Sequence, residues 1–250
     1  MNDLFGNIVD RAIERLKAFE PQDGYYLAYS GGKDSDVILD LARRSGVKFD
    51  AHHSLTTCDA PELVRHVKTQ PDVEIQRPKM TMWELIRHKK MMPCRTTRFC
   101  CNYQKETGGN GRVVMTGVRW QESNRRASRK MVEQCYRNKT KRYLHPIIDW
   151  SASDVWTYIR TRKIKYCSLY DEGFKRLGCV LCPMNADTQL HMERWPRLCR
   201  AWERACKAVY NQSGGKIANR NFESAEEYWQ WWLSRDGKYG QNEMPLFYRD

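Results

Sequence analysis

Ser30-Gly31-Gly32-Lys33-Asp34-Ser35 follows the apolar run Tyr25–Tyr29 and precedes a stretch with apolar residues at Val37, Ile38 and Leu41. That spacing predicts a strand over Tyr25–Tyr29, an abrupt turn at the two glycines, and a helix over Asp34–Arg44 that Gly46 ends. Glycine lets the backbone approach a ligand and take positive φ, so successive N–H groups can point at one anion. The helix start presents its positive end to the same point. Lys33 adds a charge, and the hydroxyls of Ser30 and Ser35 add donors. The hexapeptide therefore reads as a phosphate cradle, with Ser30, Gly31, Gly32, Lys33, Asp34 and Ser35 as its candidate residues. Ser213-Gly214-Gly215-Lys216 has similar letters but does not lie between a strand and a helix, and reads as a linker.

Working outward, Leu4–Phe19 has helical spacing, and Val47–His53 reads as the second strand. Pro61–Thr69 is expected as a helix, Val73–Gln76 as a strand, Thr81–Lys89 as a helix, and Val113–Thr116 as a strand closed by Gly117. Ser151–Arg162 is a further helix, with Ser151 as N-cap and Asp154 completing a near capping box. Strands alternating with helices predict an α/β fold with a doubly wound, mainly parallel sheet and its ligand at the carboxyl ends of the strands. Residues 1–190 are expected as one nucleotide-binding domain. Residues 191–250, with Trp229, Trp231 and Trp232, are expected as a helical extension packed on the same core.

The chain has 250 residues, ten cysteines and a net charge of +13. Its length does not suit a secreted disulfide scaffold, and Met1–Glu20 mixes acids and bases unlike a leader. No apolar stretch approaches membrane-spanning length. A reducing, cytoplasmic setting is the expectation, and there clustered cysteines more often serve a metal or catalysis. Between Arg119 and Arg142 nine Lys or Arg face two acids, Glu122 and Glu133, a surplus of seven charges. Such a segment suits nucleotide phosphate, an anionic cluster, or DNA or RNA; a solvated loop accounts for some of it.

Cys100 and Cys101 are adjacent, and Cys179-Val180-Leu181-Cys182 is a Cys-x-x-Cys unit. Tetrahedral zinc and a [4Fe–4S] cluster both accept four cysteines. Adjacent cysteines reach one small ion only with strain, whereas a cuboidal cluster spreads its ligation sites, so the pairing leans toward iron–sulfur.

Further signatures occur in order: Arg98-Phe99-Cys100-Cys101, Thr116-Gly117-Val118-Arg119 with Glu122-Ser123, Asp149-Trp150-Ser151 with Asp154-Val155-Trp156, and Tyr170-Asp171-Glu172-Gly173 leading to Gly178-Cys179. With the Ser30–Ser35 loop, the chain resembles the phosphoadenosine-phosphosulfate reductase family within the PP-loop nucleotide hydrolase superfamily. It is similar to the branch in which paired cysteines bind a [4Fe–4S] cluster, as in adenylyl-sulfate reductases. The resemblance implies an adenine nucleotide ligand (ATP or an adenosine phosphosulfate), Mg²⁺, and cluster ligation by Cys100, Cys101, Cys179 and Cys182. It also places Gly117, Arg119, Arg125 and Arg126 near the nucleotide, and Lys33, Asp34 and Arg119 in catalysis.

Two departures bear on the reaction. The family's reductases carry a cysteine near the C-terminus, whereas Met244–Asp250 and everything after Cys206 lack one. Their PP-loop is usually eroded, whereas this one is intact, as in DndC-type proteins. An enzyme cleaving ATP to adenylate and pyrophosphate, activating an acceptor for sulfur transfer, is therefore expected. A sulfonucleotide reductase forming sulfite and a non-catalytic nucleotide- or nucleic-acid-binding accessory are the alternatives. A sulfur donor or reductant protein is the further partner expected. Asp59 either contacts ribose or Mg²⁺ or caps the helix at Pro61. Cys58 is read as a small buried residue, with a sulfur-handling thiol as the alternative, and Cys94 as an incidental thiol, with an alternative cluster ligand or persulfide carrier as the other readings.

Overall fold

Strand β1 (Tyr25–Ala28) turns through the glycines into helix α2 (Lys33–Ser45), which Gly46 closes in the left-handed conformation. The computed structural model describes residues 4–185 and 187–234. Helix α1 (Leu4–Ala18) precedes β1; β2 (Phe49–Ser54), α3 (Pro61–Lys68) and β3 (Val73–Gln76) follow α2. Then come α4 (Met82–Lys89), α5 (Phe99–Gln104), β4 (Val113–Met115) and the single-turn α6 (Asn124–Ala127). Strands β5 (Val132–Gln134) and β6 (Arg142–Leu144) lead to α7 (Ala152–Arg162). Helices α8 (Thr188–Arg194) and α9 (Pro196–Ser213), the small strands β7 (Lys216–Ile217) and β8 (Arg220–Asn221), and α10 (Ala225–Ser234) complete the described chain.

The six-stranded sheet has the order β3-β2-β1-β4-β6-β5. Every neighbouring pair is parallel except β5–β6. The expected α/β architecture with a mainly parallel sheet is what the chain adopts. Because β1 lies between β2 and β4, the strand order reverses direction on either side of it, and the loop after β1 sits at the switch point where such sheets bind ligands.

Contacts divide the chain into two units. The first comprises residues 1–54, 61–76 and 107–177 and contains the sheet. Its core includes Leu27, Ile38, Leu41, Met115, Leu144, Ile147, Trp150 and Ile159. Burying each large aliphatic side chain is worth about 1.5–3 kcal/mol. Arg15 of α1 holds this unit at its rim, donating to Asp149 at 2.7 and 2.8 Å and to the Pro146 carbonyl at 2.9 Å. Ser151 caps α7 in a capping box with Asp154, as its sequence predicts.

The second unit gathers residues 55–60, 77–106 and 178 onward. This differs from the boundary expected at residue 190. The reason is aromatic packing: Trp83 of α4 meets Trp202 of α9 edge-on at 5.2 Å, and Trp202 stacks on Trp232 of α10 at 5.1 Å. The Tyr228 hydroxyl accepts from the Met92 N–H at 2.9 Å, and the Trp232 indole donates to the Pro93 carbonyl at 2.7 Å. The Trp-rich helices thus enclose the segment that leads to Cys100. Positions 235–250 of the expected extension, including Met244–Asp250, lie outside the described residues. Among the described residues no helix is long and apolar enough to cross a membrane.

Candidate functional site

In the first unit the predicted strand–turn–helix forms, with the glycine turn at the start of α2. Gly31 takes φ +76°, and a Cβ there would lie 2.7 Å from Val67 and 2.8 Å from Leu63 of α3. Only glycine lets the turn sit this close to the helix. Gly32 is the N-cap of α2, in extended conformation with no side-chain cap. The Ser35 hydroxyl donates to the Gly32 carbonyl at 2.7 Å, and the Ser30 hydroxyl donates to Ser35 at 3.1 Å. The serines therefore brace the loop. Beneath it, the buried Asp36 carboxylate meets His66 at 3.0 Å and accepts from the Tyr29 hydroxyl; burial pushes its pKa up.

Lys33 and Asp34 are joined to Arg119. The Lys33 ammonium lies 3.3 Å from Asp34, whose other oxygen accepts from the Arg119 guanidinium at 2.6 Å. Arg119 is only 3% exposed and also donates to the Trp150 carbonyl at 3.2 Å. Gly117 explains the approach: a Cβ there would stand 2.8 Å from the Asp34 carbonyl, so the chain leaving β4 presses on the first turn of α2. Asp34 is thus committed to two cations.

The basic segment is less uniform than its composition. Arg125, Lys130, Arg137 and Lys139 are exposed. Arg126 pairs with Glu122, and Arg129 with Glu133, so those two charges are partly neutralised. Lys141 is 4% exposed and belongs to the interior, contrary to its expected place on a polyanion-binding face.

The second unit brings both cysteine pairs together. Cys100 and Cys101 open α5, and the Lys105 N–H returns to the Cys101 carbonyl at 2.8 Å. The Cys182 N–H closes on Cys179 at 3.3 Å, and His191 supports this turn by accepting from the Leu181 N–H at 2.9 Å. All four thiols feel one another electrostatically. Hydrogen bonding to Cys101 and burial raise Cys100, with Cys179 and Cys182 adding to the effect. A bond from Cys100, then Lys105 and Arg98, lower Cys101. A bond from Cys58, then Lys105, lower Cys179; burial raises Cys182. Although Lys105 as a residue is exposed, its ammonium is pushed up, first by Cys179 and then by Asp59 and Cys101. Among the described residues no three His, Cys, Asp or Glu side chains close around a single-ion point.

Asp59 belongs to this group. Its carboxylate accepts from the Thr56 N–H at 2.7 Å and lies 3.9 Å from the Cys179 sulfur. Cys58 is fully buried, and the Thr56 hydroxyl stands 3.4 Å from its sulfur and 3.3 Å from that of Cys179. Cys94 bonds to Thr96 and Thr97. Sequence reasoning missed Lys105, Thr56 and His191, and it quoted Tyr170 within a family signature without a place at the cradle. Lys105, four positions after Cys101, was open to notice; the contact of Tyr170 with Lys33, 137 positions apart, was not.

Comparison with known proteins places these features in a family. The family model described as the phosphoadenosine phosphosulfate reductase domain matches residues 24–185. An uncharacterised protein of Methanocaldococcus jannaschii is 29% identical over 71% of this chain, which spans only 40% of that relative's length. An adenosine 5'-phosphosulfate reductase of Staphylococcus epidermidis is 27% identical, covering 78% of this chain and 88% of that protein. The crystal structure of a phosphoadenylyl-sulfate reductase from Candida auris, a phosphate complex, superposes with a TM-score of 0.53 at 18% identity, over 72% of this chain and 95% of that one. At that identity the likeness establishes the fold.

Proposed function

From its membership of the phosphoadenosine phosphosulfate reductase domain family, we propose that this chain is an ATP-using enzyme of sulfur metabolism. In this reading it cleaves ATP to adenylate and pyrophosphate and so activates an acceptor. The observation that carries the reading is the complete Ser30–Ser35 cradle at the switch point of the sheet, with Gly31 and Gly117 permitting its close contacts. The α2 N-terminus and Lys33 are placed to stabilise the charge that develops on a departing pyrophosphate. Asp34 and Arg119 hold Lys33 and the first turn of α2 in position.

The donor set of the second unit fits a [4Fe–4S] cluster: four cysteines in mutual range, with Lys105 to offset the net negative charge of a thiolate-bound cluster. Cys100, Cys101, Cys179 and Cys182 would hold it. When bound, such a cluster supplies electron transfer, or a site at which sulfur is handled. Thr56, Asp59 and Cys58 surround Cys179 and fix the geometry of that ligand. The exposed Arg125, Lys130, Arg137 and Lys139 favour a nucleic-acid acceptor, and a separate protein would deliver sulfur or electrons.

A second reading, reduction of a sulfonucleotide to sulfite, is favoured by the 88% coverage of the Staphylococcus epidermidis adenosine 5'-phosphosulfate reductase. One comparison separates the two. Anaerobically prepared protein is incubated with ATP, or with adenylyl sulfate or its 3′-phosphate plus thioredoxin. Pyrophosphate release from ATP is the expected result; sulfite release without pyrophosphate formation overturns the first reading in favour of the second.

A further inference from the structure

The first backbone N–H of α2, that of Lys33, already has an acceptor: the Tyr170 hydroxyl at 3.0 Å. This N–H belongs to the set that a helix start offers to an anion. Tyr170 ends a 3-10 turn, Ser168–Tyr170, and crosses the mouth of the cradle. Its oxygen lies 3.3 Å from where a Cβ on Gly32 would stand, so it rests directly on the N-cap. The Lys33 ammonium sits over its ring, 5.4 Å from the centroid. Behind it, Trp156 packs edge-on at 5.2 Å and Tyr166 at 6.3 Å, which holds the ring upright. Burial raises the phenol's pKa, so the group facing Lys33 is a neutral hydroxyl.

We propose that Tyr170 sets which nucleotides the cradle admits, its hydroxyl standing where an oxygen of a β- or γ-phosphate would bind. This rests on the cradle reading above and adds a selection rule to it. A nucleotide bearing a diphosphate must displace the hydroxyl from the Lys33 N–H, because one N–H cannot serve both acceptors at full strength. The displacement is feasible because a charge-assisted bond to phosphate is roughly twice as strong as a neutral one. A nucleotide ending at its α-phosphate leaves Tyr170 in place. Tyr170 thus works as a threshold on chain length: it handicaps polyphosphates and is indifferent to monophosphates.

The test measures binding of ATP, inorganic pyrophosphate and AMP to the full chain and to Tyr170→Phe, which keeps the ring against Trp156. Affinity for ATP and for pyrophosphate should rise about 2- to 10-fold, the equivalent of one neutral hydrogen bond. AMP binding should not change. In the unsubstituted protein the Tyr170 ring resonances should shift on adding pyrophosphate and stay put with AMP. Weaker ATP binding in Tyr170→Phe, an equal change for all three ligands, or no change at all overturns the proposal while leaving the cradle intact. So do ring resonances unmoved by bound pyrophosphate. If the unsubstituted protein and Tyr170→Phe both bind no ATP and no pyrophosphate, the cradle reading falls, and this proposal with it.

Discussion

Gly31 and Gly32 are neighbours with the same letter and different constraints. Gly31 is structural: its φ of +76° and the 2.7 and 2.8 Å approaches of Val67 and Leu63 leave no room for a methyl group. Gly31→Ala should cost at least about 1–2 kcal/mol from the left-handed backbone alone, seen as a lower denaturation midpoint. Gly32 has ordinary φ and faces the cradle mouth, where a Cβ would meet the hydroxyl oxygens of Tyr170 and Ser30 at 3.3 and 3.5 Å. Gly32→Val should therefore keep the fold and lower ATP affinity by about tenfold or more, which costs roughly 1.4 kcal/mol. Unchanged ATP titration curves for that variant would refute the cradle. The sequence distinguished the pair from linker glycines through the strand and helix around them. It could not rank one against the other, because the obstruction at Gly31 comes from α3, more than thirty positions on.

Among the elements, the β5–β6 hairpin escaped the sequence reading, and its composition shows why. Val132-Glu133-Gln134 and Arg142-Tyr143-Leu144 are three-residue strands with no sustained alternation. What fixes them is tertiary. His145, directly after β6, is completely buried, exchanges a hydrogen bond with Thr116 at 2.7 Å, and stacks on Tyr143 at 6.0 Å. Burial, reinforced by Arg129, pushes its pKa down to about 4, against about 6.5 in an unfolded chain. The folded state thus binds fewer protons between those values. His145 contributes its full stability above about pH 6.5 and loses it as pH falls toward 4. Denaturation midpoints measured across that window should fall less steeply for His145→Asn than for the parent. Parallel pH profiles would show that His145 is not the titrating group. By contrast, α4 and α7 were legible to within a residue, because Thr81 with Glu84 and Ser151 with Asp154 write their capping boxes in four letters.

At the scale of the whole molecule, the sheet was readable from alternating strand and helix signals, but the division into two units was not. The second unit is assembled from three separated stretches, and no local composition marks a segment such as residues 77–106 as belonging with the Trp-rich helices. The cysteine pairs could be grouped from spacing, and Lys105 follows one of them closely, whereas Thr56 and Asp59 join them only in space. Purified anaerobically, the protein should carry about four irons per chain, as a cubane requires. The double variant Cys179→Ser/Cys182→Ser should lose them; iron retained, or zinc in its place, rules the cluster out. The exposed cations allow a sharper prediction than composition did. Reversing Arg125, Lys130, Arg137 and Lys139 should flatten the dependence of log affinity for duplex DNA on log salt by about 0.9 per lost contact. Lys141→Glu should instead lower stability, because that side chain is buried. A parent protein that binds neither DNA nor RNA at low salt would leave the nucleotide as the sole polyanion.

The assembly of the second unit also imposes a timetable. Cys101 and Cys179 are 78 positions apart, and β4, β5 and β6 are synthesised between them. At the usual pace of translation that interval lasts roughly 4–16 s. For that time the Cys100–Cys101 pair has been made while Cys179 and Cys182 do not yet exist. The four-thiol set is therefore complete only after the six strands of the first unit's sheet have been made. Were those thiols to take up iron and sulfide, loading would follow the sheet in time, and a nascent chain stalled before Cys179 would offer a carrier half of them.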